Sequence, residues 1–226
     1  MVARSPSAVS LLRNAFLEGP IAALTNSIDY VAWRQMTEKK QRGEGQFTGD
    51  WEKLRPERGL RAFGRCYSAW LTSPAWFRER WWSRRGLGFA SVDEWIARGC
   101  EDTILTWDAQ DLLVLSRMWQ MADVGRVVPG QEMEPATLGG GVGSDTDGDG
   151  DDRYHKALRS IQAEALVMPC RTDQYFPPED SEIEVSHLQR GTLAPIESIW
   201  GHAAGGGMNE RDVQWMNGRI GEFLAG

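Results

Sequence analysis

Two apolar runs near the C-terminus constrain the fold more than any other feature of this chain. Residues 163–170 (Ala-Glu-Ala-Leu-Val-Met-Pro-Cys) and 193–199 have strand length and strand composition, and a helical pattern follows each, at 179–188 and 208–224. A strand, a helix and a second strand form a connection that suits parallel pairing and is too long for a hairpin. The last helix draws its apolar stripe from Val213, Met216, Ile220 and Phe223. Parallel sheets need cover on both faces and further strands beside them. Two βα units in tandem therefore imply a larger sheet than this sequence supplies. A short helix at 154–161 leads into the first run.

The N-terminal half obeys a different grammar. The chain has 226 residues and 11 Trp, nine of which lie within the first 119 residues. Residues 10–24 read as a helix carrying Leu11, Leu12, Ala15, Phe16, Ile21 and Leu24, with a kink or break expected at Gly19-Pro20, where a backbone donor is lost. Residues 38–58 are polar and glycine-rich, and are expected to be an exposed connection. Helical periodicity resumes at 60–71, with Leu60, Phe63, Cys66, Tyr67 and Trp70 on one side. Ser73-Pro74 opens a further helix running to about Trp82, with proline at its first turn. Ser91-Val92-Asp93-Glu94 is a capping-box sequence. Residues 108–119 place Leu112, Leu113, Leu115 and Trp119 on a stripe.

Charge separates the same two parts. Residues 1–128 carry 18 basic and 15 acidic groups (+3), whereas 129–226 carry 7 and 17 (−10), for a formal net charge of −7. That balance excludes a basic nucleic-acid module. Much of the acid sits in 130–152, a Gly/Asp-rich stretch that cannot bury enough apolar surface to order itself, and a flexible acidic insertion is expected there. Asp145-Thr146-Asp147-Gly148-Asp149-Gly150 fits the opening of an EF-hand loop, but its twelfth position is Lys156 where a bidentate Glu is needed, so a solvated linker is expected. Cys66, Cys100 and Cys170 lack metal-ligand spacing and read as reduced thiols, with no metal site. No apolar stretch is long enough to span a bilayer, and Met1-Val2-Ala3-Arg4-Ser5-Pro6 has no secretory core, so a cytoplasmic location away from membranes is expected.

The chemistry suggested by the sequence lies in two loops. Asp173 follows the first strand, and His202 follows the second within Trp200-Gly201-His202-Ala203-Ala204-Gly205-Gly206-Gly207. Loops after parallel strands leave at the same sheet edge, so an acid and a histidine so placed can converge as the Asp-His half of a Ser-Asp-His triad. The alternative is an Asp capping the next helix and a His in a glycine loop. No G-x-S-x-G nucleophile elbow occurs, and Ser5, Ser7 and Ser10 lack the flanking glycines it requires. His155 and His187 read as surface histidines, and Arg61 and Arg65 as solvated helix charges in preference to anion-steering groups.

Several blocks resemble the homoserine O-acetyltransferase-like branch of the α/β-hydrolase fold, particularly its fungal members. They are Phe16-Leu17-Glu18-Gly19, Gly59-Leu60-Arg61-Ala62-Phe63-Gly64-Arg65, Ala165-Leu166-Val167-Met168-Pro169, Thr172-Asp173-Gln174-Tyr175-Phe176-Pro177-Pro178-Glu179-Asp180 and Ser198-Ile199-Trp200-Gly201-His202-Ala203-Ala204-Gly205-Gly206-Gly207. The resemblance implies an α/β class and a partial α/β-hydrolase fold, in which a helical Trp-rich lid precedes the last two βα units of a parallel sheet. The expected organisation is the end of a core strand and its following helix (1–26), the lid (27–128), the acidic insertion (129–153) and the C-terminal core (154–226). The resemblance also implies that Asp173 and His202 are the triad acid and base. The partners would be a small-molecule acyl donor and a hydroxyl acceptor, with acetyl-CoA as co-substrate and no bound cofactor, and a homodimer could form through the lid helices. The family places its nucleophilic serine and oxyanion-hole amides in an N-terminal half absent from this sequence, so the isolated chain is expected to show no triad-dependent turnover. The alternatives are an esterase of the same fold and a non-catalytic remnant acting as an interaction module.

Overall fold

A computed structural model of the chain describes residues 9–44, 55–84, 87–122, 124 and 149–226. Most of the acidic insertion, including the EF-hand-like opening at Asp145, lies outside the described residues, as do Ser5, Ser7 and the side chain of Ser10. The chain divides into two compact units. One gathers Trp70–Trp76 and Met121–Gly226 with the described residues of Met1–Arg13; the other comprises Asn14–Ala69 and Phe77–Gln120.

The second of these units is helical. Its core joins Leu17, Ile21 and Leu24 of α1 (Val9–Thr25) to Tyr30 of α2 (Ile28–Gln41), Leu60 and Phe63 of α3 (Glu57–Leu71), and Leu112 and Leu113 of α7 (Ala109–Met121). Contrary to the sequence expectation, α1 runs unbroken through a buried Pro20. An interior proline costs about 3 kcal/mol. Leu17, Ile21 and Leu24 are at most 3% exposed, and each buried apolar side chain of this size contributes about 1.5–3 kcal/mol, so packing outweighs the lost hydrogen bond. Helix α2 was not legible in the sequence, and it extends into the stretch read as a connection. Ser27 caps it, accepting from the Tyr30 amide at 3.3 Å, and Arg34 pairs with Glu38 one turn on at 2.8 Å.

Helix α3 buries Leu60 and Phe63 as expected but leaves Cys66 exposed. Gly64 lets a neighbouring helix approach: a Cβ there would lie 3.0 Å from the Glu101 Cα and 3.1 Å from the Cys100 carbonyl. That neighbour is a π-helical segment, Trp95–Glu101, between the short turns α5 (Val92–Glu94) and α6 (Asp102–Ile104). Arg61 and Arg65 are not simply solvated. Arg65 pairs with the largely buried Glu101 at 2.7 Å and Arg61 with Asp102 at 2.8 Å. Helix α4 (Pro74–Arg78), shared between the two units, has proline at its start but ends well before Trp82. Arg80 takes a left-handed conformation (φ 53°) and leads into a 3₁₀ turn, Trp81–Ser83. In the capping box, Ser91 accepts from the Glu94 amide at 3.0 Å, while the Glu94 carboxylate reaches one residue further back, to the Ala90 amide, at 2.7 Å. On α7 the buried stripe is Ala109, Leu112, Leu113 and Ser116; Leu115, expected on it, is exposed beside Val114 and Met118.

The other unit holds the βα elements. Helix α8 (Asp149–Arg159) starts earlier than expected, inside the acidic stretch. It is followed by β1 (Ala165–Val167), α9 (Pro178–His187), β2 (Gly191–Leu193), a 3₁₀ segment (Gly201–Gly206) and α10 (Glu210–Ala225). β1 and β2 pair in parallel, in register Ala165↔Gly191, Leu166↔Thr192 and Val167↔Leu193, with a further bridge at Cys170↔Ile196. The expected strand at 193–199 is displaced towards the N-terminus. Pro195 has no amide to give the ladder, and beyond Ile196 the chain turns away through Ser198. On α10, Ile220 is more exposed than its place on the stripe suggested. Among the described residues, no helix is long and apolar enough to cross a membrane.

Candidate active site

Both strands end at the same edge, and the two loops leaving it meet. After the Cys170 bridge the Arg171 amide donates to the Ile196 carbonyl at 3.0 Å, and the Asp173 amide closes a turn onto the Cys170 carbonyl at 3.0 Å. Asp173 is thereby held by the last rung of the sheet. Its Oδ1 accepts the amides of Tyr175 (2.8 Å) and Phe176 (3.2 Å), and its Oδ2 faces His202 Nδ1 at 3.1 Å. The alternative assignment of Asp173 as the cap of the next helix does not hold. Helix α9 begins at Pro178 with Pro177 in the cap position and no side-chain cap.

The pair is sheltered unequally. The Asp173 side chain is 8% exposed and that of His202 28%. With Oδ1 committed to two amides, the carboxylate is oriented before it meets the imidazole. An acceptor at Nδ1 selects the tautomer with its proton on that nitrogen, which puts the lone pair on Nε2. The Tyr175 ring stands edge-on to the imidazole at 4.8 Å between centroids, and Phe176 lies at 5.4 Å. The residues that supply the amides to Asp173 thus also wall the histidine.

The histidine loop is fixed just before His202. The Ser198 carbonyl accepts from Thr172 Oγ1 (2.9 Å) and Cys170 Sγ (3.4 Å), and Thr172 Oγ1 also accepts the Gly201 amide (3.2 Å). Thr172, next to Asp173, thus ties the acid loop directly to the base loop. Ser73 Oγ donates to the Ile199 carbonyl at 2.6 Å. Gly201 adopts φ +59°, and a Cβ there would lie 3.0 Å from the Thr72 backbone. The Trp200 ring is buried edge-on to Trp76 at 5.8 Å.

The structure therefore brings together Asp173 and His202. His155 and His187 stack on each other instead, with centroids 3.7 Å apart and planes within 3°, where α8 meets α9. Tyr154 beside them reaches Glu184 at 3.3 Å, and burial pushes the Glu184 carboxyl up to about 7. Burial likewise raises the Cys170 thiol, opposed by hydrogen bonds from Thr172 and reinforced by the Asp173 and Asp212 charges. Among the described residues, no three His, Cys, Asp or Glu side chains converge as a metal-binding group. In the sequence, Thr172 and Ser198 stood only within the blocks of resemblance and Ser73 only as a helix start, none with a role in the site. Only the position of Thr172 beside Asp173 could have marked one of them.

Comparisons with known proteins fit this architecture. No family model matches the sequence. The chain is 25% identical over 167 residues to the ethyl acetate hydrolase of Pseudomonas veronii, an alignment covering 74% of this chain and 41% of that protein. Among solved structures it superposes on the acetyl esterase MekB with a TM-score of 0.69 at 22% identity, covering 94% of this chain and 50% of the other. An acetylester hydrolase from Corynebacterium glutamicum gives 0.69 at 19% identity, covering all of this chain and 52% of that one. Homoserine O-acetyltransferase from Bacillus anthracis gives 0.54 at 18% identity, over 86% and 45%. The chain thus spans about half the length of the proteins it matches, and within that span it carries part of an α/β-hydrolase fold, helix-rich and with a small parallel sheet.

Proposed function

We propose that Asp173 and His202 are the acid and base of a serine-dependent acyl-transfer centre that cleaves small acetyl esters. The observation that carries this reading is the 3.1 Å contact between Asp173 Oδ2 and His202 Nδ1, made by a carboxylate whose other oxygen is already held by two amides. In such a centre a serine hydroxyl attacks the acetyl carbonyl while His202 Nε2 takes its proton. The alcohol leaves with that proton, and an acetyl-enzyme remains. Water then attacks, giving a proton to His202, and the acyl–oxygen bond breaks as His202 returns that proton to the serine oxygen, releasing acetate. Asp173 keeps the imidazole in the productive tautomer and stabilises the imidazolium formed in each half-reaction.

No G-x-S-x-G occurs in this sequence, so the serine and the oxyanion amides belong to a further part of the hydrolase fold. The chain alone is accordingly expected to give no burst of p-nitrophenol from p-nitrophenyl acetate. Ester cleavage is favoured over acetyl transfer to homoserine. The sequence relative at 25% identity is an ethyl acetate hydrolase.

A hybrid tests both points. This chain replaces the 52% of the Corynebacterium glutamicum acetylester hydrolase on which it superposes, and the product is assayed with ethyl acetate and with acetyl-CoA plus homoserine. Hydrolysis of ethyl acetate without O-acetylhomoserine supports the reading. Acetyl transfer without hydrolysis moves the assignment to the acetyltransferase branch, and a folded hybrid inert to both contradicts it.

A further inference from the structure

We propose that Asp212, on α10, is a positioning residue for His202 and acts through Ser198. Asp212 is a carboxylate only 3% exposed, in the first turn of α10. Its Oδ2 accepts the Ser198 hydroxyl at 2.5 Å. The same Ser198 Oγ accepts the Trp200 amide at 3.2 Å, two residues before His202. The chain is therefore continuous: carboxylate, hydroxyl, backbone amide, then the histidine loop. Because Ser198 spends its one proton on Asp212, its oxygen is turned with lone pairs towards the Trp200 amide. Without the carboxylate, that hydroxyl could rotate to another acceptor and release the loop.

The burial of this acceptor against Ser198 argues for more than filling space. A buried carboxylate is costly unless it is hydrogen-bonded, and here the Ser198 hydroxyl supplies that bond. The partial positive charge at the start of α10 offsets part of that cost. Asp173 thus orients the imidazole ring from one side, while Asp212 fixes the backbone that carries the ring. This rests on the reading of His202 as the base.

The test uses the full chain labelled with ¹⁵N-histidine and reads the His202 Nδ1 proton directly. Its exchange rate and the ring nitrogen shifts are compared in the native chain and in Ser198→Ala, Asp212→Ala, Asp212→Asn and Asp173→Asn. Asp212→Ala and Ser198→Ala should raise the exchange rate at least tenfold. Asp212→Asn, whose amide oxygen can still accept from Ser198, should restore most of the protection. The signals of His155 and His187, on α8 and α9 of the same unit, should stay in place throughout.

Unchanged His202 exchange in both alanine variants overturns the proposal. So does a parallel change in His155 and His187, which would make the effect one of general unfolding, and so does an Asp212→Asn variant no better than Asp212→Ala. The Asp173→Asn arm reports separately on the acid-base reading: if the His202 tautomer is indifferent to Asp173, that reading fails whatever the Asp212 variants do.

Discussion

Replacing Gly201 by alanine tests the histidine loop with a single methyl group. The residue sits at φ +59°, a conformation that costs an L-residue about 1–2 kcal/mol. The added Cβ would also lie 3.0 Å from the Thr72 Cα and carbonyl carbon and 3.1 Å from the Ser73 amide nitrogen, all of them backbone atoms that cannot rotate away. Overpacking of this kind costs about 1–3 kcal/mol. Together the two effects predict a loss of about 2–5 kcal/mol. Gly205, four residues on, provides the control: nothing lies within 4 Å of its Cβ position, so alanine there should be neutral or stabilising by up to about 1 kcal/mol. Bulk fluorescence sums 11 Trp, so unfolding in urea is best followed on the Trp76 and Trp200 indole resonances. With a slope of about 2 kcal/mol/M, Gly201→Ala should lower their midpoint by about 1–2.5 M. Unfolding free energies of Gly201→Ala and Gly205→Ala within about 0.5 kcal/mol of each other would refute the argument that this loop is clamped onto Thr72-Ser73.

Two further outcomes follow from the titrating groups. Burial raises the Glu184 carboxyl from 4.5 to about 7, so the folded state binds this proton more tightly than the unfolded state. Its contribution is fully present below pH 4.5 and is lost as pH rises to about 7, on the order of 3 kcal/mol in all. Asp180, raised by burial and by Glu179, acts in the same direction. Glu184→Gln, which can still accept from Tyr154, should flatten the dependence of unfolding free energy on pH between 4.5 and 7; an unaltered slope would show that Glu184 is not its source. Of the three thiols only Cys66 is exposed, and burial pushes Cys100 up to about 12 and also raises Cys170. Ellman's reagent at pH 8 should titrate one thiol quickly and the others only on unfolding, and three rapid equivalents would contradict the burial of Cys100 and Cys170.

The parts of the fold that were legible in the sequence are those governed by local rules. The order of the two βα units, the stripe of α3 and the cap at Ser91 follow from periodicity and from the orphan amides of helix ends. Where tertiary contacts decide, the sequence was a poorer guide. Pro20 marks a break by its own chemistry, yet α1 continues because its flanking side chains are buried. Leu115 fits a helical stripe, yet the residue that α7 buries in that turn is its neighbour Ser116, in line with Ala109, Leu112 and Leu113. In the site, Asp173 and His202 were visible because two loops after parallel strands must leave at one edge. Asp212 was not visible, because an acid in the first turn of a helix has an ordinary reason to be there. Only the fold shows that its side chain turns inward onto Ser198.

The central claim is that the hydrogen-bonded Asp173 and His202 drive acyl transfer. The measurement that tests it most directly is kcat/KM for ethyl acetate of the hybrid with the Corynebacterium glutamicum acetylester hydrolase, alone and carrying His202→Ala or Asp173→Asn. The account predicts that His202→Ala lowers kcat/KM by about 10³-fold or more and Asp173→Asn by a comparable factor, through kcat and with little change in KM. A hybrid whose ester hydrolysis survives both substitutions would contradict it.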